Sequence, residues 1–157
     1  MKKFVTIITG LLMAVALMAE TPERMSVEEL FKTYAGTAGT ESTMLNQSTL
    51  KSLADKKGTS RKTARLLKSL DRIWAISTAG DNEGFLEDAK LTTESRKDYQ
   101  IVSNTNKNGS QTTFYMSEKA PKSLILISVS ETKISYMEIR GDFSLLDFGS
   151  LSEIGIR

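Results

Sequence analysis

The chain has 157 residues, 21 basic and 19 acidic, and contains neither histidine nor cysteine. Lacking both, it has no disulfide, thiol or imidazole chemistry, none of the usual zinc ligands and no histidine-ligated haem. Lysine, tyrosine, backbone and paired-carboxylate chemistry remain, but no HExxH, CxxC, P-loop or GxSxG pattern accompanies them.

The first segment reads as a leader. Lys2 and Lys3 precede the uncharged run FVTIITGLLMAVALM (4–18), Ala16 and Ala19 are small, and Glu20-Thr21-Pro22 come next. A positive start, an apolar stretch and a small residue at the cut describe a secretory signal peptide, residues 1–19, cleaved after Ala19. An uncleaved anchor is the alternative, yet the run falls short of the roughly 20 residues a span requires. The expected mature chain, 20–157, is long enough for one domain that buries about two-thirds of its unfolded surface. Losing Lys2 and Lys3 leaves 19 basic against 19 acidic residues, so net charge makes no case for nucleic acid. No cysteine is present to carry a lipid, and no span remains after cleavage. The expected location is therefore periplasmic or secreted.

SVEELFKTYAG (26–36) opens with a capping box, Ser26 and Glu29, and places Val27, Leu30, Phe31 and Tyr34 at helical spacing. ESTMLN (41–46) reads as a short strand and STLKSLADKKG (48–58) as a short helix. In residues 60–81 the period changes: Ala64, Leu67 and Leu70 fit a helix, then RIWAIST is β-rich and stops at Gly80. NEGFLEDAKLTTESRK (82–97) reads as a helix with Phe85, Leu86 and Ala89 inward, placed between strands like a crossover unit. Beyond it, DYQIVSNT and QTTFYMSE alternate around Asn108-Gly109, a hairpin signature. SLILISVS and ISYMEIRG form two more strands joined by a tight turn, and DFSLLDFGSL has helical spacing at Phe143, Leu146 and Leu151. The fold class is α+β, a single domain with a largely antiparallel sheet and helices packed on one face.

Candidate chemistry is sparse. Glu87 and Asp88 are neighbours that point apart on a helix; Asp142 and Asp147 are better spaced but stand where caps and turns favour Asp. Asp81-Asn82-Glu83-Gly84 lacks the alternation of a calcium loop and reads as a helix cap. Asn46-Gln47-Ser48 matches a glycosylation sequon. Trp74, Tyr99, Phe114, Tyr115 and Tyr136 read as packing residues of strands.

Charge is uneven along the chain. Lys56, Lys57, Arg61, Lys62, Arg65, Lys68 and Arg72 oppose only Asp55 and Asp71 within residues 55–72, whereas residues 81–98 are net acidic. The favoured reading is two solvated helix faces that partly neutralise each other. The functional one is a basic patch for an envelope protein or anionic surface.

The segments LFKTYAG, LDRIWAIST, FLEDAK, DYQIVSN, TTFYMSEKA, SLILIS and above all ISYMEIRGDFSLLDFGSL resemble domain-of-unknown-function family 4252, small exported proteins of Bacteroides-type bacteria, over about residues 26–152. The resemblance implies an envelope-facing α+β domain with no established activity, and a weak link to envelope sensing. It brings no catalytic residues. Many relatives resemble lipoproteins, a feature this cysteine-free chain does not share. The expected function is a non-enzymatic periplasmic or envelope binding or interaction module without cofactor or metal; the alternative is a cryptic carboxylate-based hydrolase using Asp142 and Asp147. Arg140-Gly141-Asp142, an adhesion tripeptide elsewhere, reads here as a strand exit: Gly141 permits the bend, and Asp142 or Ser144 caps a helix anchored by Phe143 and Leu146.

Overall fold

The computed structural model describes residues 25–147; the expected leader and the end of the expected last helix lie outside that range. Helix α1 (Val27–Tyr34) starts at the capping box. Ser26 Oγ accepts the Glu29 N–H at 3.1 Å, and the Glu29 carboxylate accepts the Ser26 N–H at 2.7 Å, satisfying two otherwise free donors at once. Strand β1 (Glu41–Asn46) runs straight into α2 (Gln47–Ala54), whose cap is the Asn46 side chain. Thus the sequon asparagine accepts the Thr49 N–H at 3.1 Å. Ser60 caps α3 (Arg61–Ser69), which leads without a loop into β2 (Leu70–Ala79). Asn82 caps α4 (Glu83–Glu94), as read from the sequence.

Two hairpins complete the sheet: β3 (Gln100–Lys107) with β4 (Ser110–Ser117), and β5 (Lys122–Val129) with β6 (Lys133–Gly141). Asn108 and Gly109 both have positive φ, the backbone that a two-residue turn needs to match the twist of its strands.

All six strands form one sheet in the order β1-β2-β6-β5-β4-β3, every neighbour antiparallel. Helix α4 is a crossover of an extended kind. It carries the chain from β2 past β6, β5 and β4 to β3, which runs parallel to β2 without touching it.

The α+β class and antiparallel sheet match the sequence reading, but the helices do not share one face. On one face Ile76, Tyr115, Ile125, Ile127, Ile134 and Tyr136 pack with Val27, Leu30 and Phe31 of α1 and Phe85 and Ala89 of α4. On the other, Ile73, Met116, Leu124 and Ile139 pack with Leu50 and Ala54 of α2, Leu66 and Leu67 of α3, and Phe143. Strand β6 shows why: Ile134 and Tyr136 point one way and Ile139 the other, so both faces are apolar and each needs a cover. Hydrogen bonds reinforce the first layer. Tyr34 donates to Asp88 at 2.6 Å and Tyr115 to Glu94 at 2.8 Å; burial and these carboxylate partners push both phenols up to about 12.

The strand exit at 140–142 is as expected, its continuation less so. Phe143 is buried, but Leu146 is 88 % exposed and does not anchor a helix. Only a 3₁₀ turn, Leu145–Asp147, is formed within the described residues, with Asp147 accepting the Ser144 N–H at 2.8 Å. Gly141 has φ +148°, and a Cβ there would lie 2.6 Å from both Leu70 Cα and Ser69 O. Both are backbone atoms, which cannot move aside cheaply. Gly141→Val is expected to lose at least about 2 kcal/mol of stability, measured as a lowered urea midpoint; an unchanged midpoint contradicts the packing described.

Candidate functional site

On the α1/α4 face, β6 continues its inward alternation with polar residues: after Ile134 and Tyr136 come Glu138 and Arg140. Arg72 of β2 reaches the same layer through a bulge. Leu70 pairs with Gly141 and Arg72 with Arg140, a one-residue shift. Residues two apart in a regular strand share a face. The extra residue therefore sends Leu70 into the α2/α3 core and Arg72 to the opposite side.

Glu138 is only 2 % exposed, so its charge requires a partner. Arg72 Nε donates to Glu138 Oε2 at 2.7 Å, with Nη2 ion-paired to the same oxygen at 2.7 Å, and Ser123 Oγ donates to Oε1 at 3.3 Å. Arg72 Nη1 also donates to Glu28 Oε1 of α1 at 2.7 Å, and the guanidinium lies 4.0 Å over the Trp74 ring. One arginine thus ties α1 to two central strands. Burial works against the Arg72 charge and the Glu28 carboxyl alike. In each case the mutual hydrogen bond and attraction prevail, joined at Arg72 by Glu138: Arg72 is raised and Glu28 lowered from their ordinary values.

The group floors a cavity of about 290 Å³ whose wall includes Arg96, Asp98, Tyr99, Ser117, Lys119 and Arg140. Asp98 accepts a hydrogen bond from Ser117 at 3.2 Å, and Arg96 lies 5.8 Å from the Tyr99 ring. Burial raises the Tyr99 phenol. Deeper on the same face, the Tyr136 hydroxyl is buried without a hydrogen-bond partner among the described residues; the Thr93 hydroxyl beside it donates to the Ala89 carbonyl at 3.2 Å. Burial, with Glu138 and Tyr99 nearby, raises the Tyr136 phenol well above its ordinary value.

The sequence-predicted basic residues divide. Lys56 and Lys57 are exposed in the loop after α2, and Arg61, Lys62 and Lys68 lie on α3 with Arg65. Lys68 pairs with Asp55 at 2.7 Å. Arg72 is not with them: it lies across the sheet, committed to Glu28 and Glu138. The acidic helix α4 also lies across the sheet from α3, and none of the ion pairs among the described residues joins the two helices. The mutual neutralisation expected of these segments is therefore not made by direct ion pairs among the described residues.

The carboxylates singled out earlier do not converge. Asp142 is exposed, with its N–H donating to the Ser69 carbonyl at 2.9 Å, while Asp147 caps the last turn and Asp88 holds Tyr34. Among the described residues no group of three or more Asp and Glu is placed to hold a metal ion, and no helix is long and apolar enough to cross a membrane. Sequence reasoning missed the Arg72–Glu138–Arg140 group. The available signal was Glu138 and Arg140 continuing the inward positions of Ile134 and Tyr136 in the last strand.

Fold and cavity together define an α+β domain with a six-stranded antiparallel sheet, covered on both faces, and an ionic layer at one end. Residues 34–151 match the domain of unknown function DUF4252, and the chain belongs to that family. No curated protein and no solved structure matches it.

Arg72→Met leaves Glu138 buried without its main partner and is expected to cost about 3–5 kcal/mol in urea unfolding; Glu28→Gln, at the exposed end, costs under about 1 kcal/mol. The Glu28 carboxyl titrates below 4.5 in the folded chain, so its contribution is complete above pH 4.5 and fades as pH falls through the lowered value. The urea midpoint of Glu28→Gln should therefore fall less steeply below pH 4.5 than that of the parent; parallel slopes refute the linkage.

Proposed function

We propose that the protein is an exported, non-enzymatic binding module of the cell envelope that engages an anionic partner through the loop after α2 and the outward face of α3. The observation that carries this reading is the isolation of that charge. Arg61, Lys62 and Arg65 have no ion-pair partner among the described residues, and the sheet separates them from the acids of α4. Arg61 and Lys62 also occupy the first turn of α3, which holds no acidic residue. Cations there oppose the helix dipole by about 0.3–1 kcal/mol each, an arrangement that a stability requirement alone would not favour. Export rests on the leader-like residues 1–19.

Replacing Arg61, Arg65 and Lys68 together with Glu should weaken co-sedimentation with anionic phospholipid vesicles, or cross-linked capture of an acidic envelope protein, by about tenfold or more. Unchanged binding in both assays removes the patch from consideration. Amino-terminal sequencing of protein recovered from the envelope fraction should begin at Glu20; a chain starting at Met1 there would mean that the leader is retained.

A further inference from the structure

The cavity on the α1/α4 face contains a second charge imbalance, independent of the α3 patch. Two of its fixed anions are already occupied, Glu28 and Glu138 being held by Arg72, while Asp98 keeps its charge and accepts only from the neutral Ser117 hydroxyl. Arg96, Lys119 and Arg140 line the cavity with no ion pair among the described residues. Glu28 is near enough for Arg140 to lower its pKa, yet Glu28 makes its ion pair with Arg72.

Arg140 is the most telling of the three. It stands directly opposite Arg72 across the β2–β6 pair and opposite Ser123 on the β5 side. Like charges facing each other across strands are destabilising, and Arg72 is already coordinated by two carboxylates while Arg140 is in no ion pair among the described residues. Arg140 projects from an inner strand with a paired strand on either side, so the base of its side chain is firmly positioned. A planar guanidinium held in this way is suited to a bidentate grip on a carboxylate or phosphate.

We propose that this cavity binds a small molecule bearing an oxyanion, carboxylate or phosphate, gripped by Arg140 and flanked by Arg96 and Lys119. The bound group gives Arg140 the ion-pair partner that it lacks among the described residues, and it offsets the repulsion between Arg140 and Arg72. The cavity volume, about 290 Å³, suits a metabolite-sized ligand. Arg140 of the adhesion-like tripeptide thereby acquires a role that has nothing to do with an exposed loop.

The test is calorimetric titration of the full chain at low ionic strength, in separate arms, with inorganic phosphate and with succinate. Saturable binding of either probe is expected. Preference for phosphate assigns a phosphorylated ligand and preference for succinate a carboxylic acid. Arg140→Gln, which removes the charge and keeps a polar side chain, should weaken binding by about tenfold or more, and the exposed Lys119→Gln should weaken it by a smaller factor. Lys107→Gln, exposed at the β3–β4 turn and away from both the cavity and α3, should leave it unchanged. Failure of both probes to saturate by about 10 mM, or parent-like binding by Arg140→Gln, overturns the proposal.

Discussion

The contact on which the rest of the structure depends is the close approach of Gly141 to the junction of α3 and β2. The Asp142 N–H donates to the Ser69 carbonyl at 2.9 Å, and no Cβ fits between Gly141 and Leu70. Closing the strands this tightly at their ends while Arg72 pairs with Arg140 requires one extra residue in β2, and that residue is the bulge. Leu70 can then be fully buried against α2 and α3 while Arg72, two residues on, crosses to the α1 side. Bulges re-aim side chains in this way and often adjoin sites. Here a single backbone irregularity joins one core to the ionic layer of the other.

That layer is an unfavourable place for charge unless it is complete. A buried carboxylate held by one arginine is weak evidence of net stabilisation, because desolvation offsets much of the attraction. An apolar pair at 72 and 138 would extend the aromatic core of Phe31, Trp74 and Tyr136, whose rings already approach to 5.2 and 6.5 Å about Phe31. The chain instead places polar groups at the end of an otherwise apolar face, with Arg140 in no ion pair among the described residues. Orientation is what such an arrangement supplies: Arg72 links α1, β2 and β6 and holds the cavity floor in one geometry.

Much of the fold was legible in residues a few positions apart. Ser26 with Glu29, Asn108 with Gly109, and the alternation in ISYMEIRG act over distances of one turn or one strand, so the sequence displays them directly. The placement of the helices was less legible. Val27, Leu30 and Phe31 declare a buried stripe, as do Leu66 and Leu67, but neither says which sheet face covers it. Grouping Arg72 with the α3 cations relied on proximity in sequence, which the bulge makes misleading. The same limit applied to charge: the acidic and basic segments are near in the chain, yet the sheet lies between α3 and α4.

The sequence by itself determined the available chemistry, the positions of caps and turns, and the membership of residues 34–151 in their family, because composition and short-range spacing survive any folding. Only the tertiary structure decided that helices cover both faces, that Arg72 belongs with Glu138, and that Arg140 meets it across the β2–β6 pair. Those relations join residues more than sixty positions apart, and strand order and one bulge, neither written in local periodicity, bring them together. Arg140-Gly141-Asp142 shows both levels at once: the tight exit is encoded locally by glycine, while the surroundings of its arginine are set by the strands on either side.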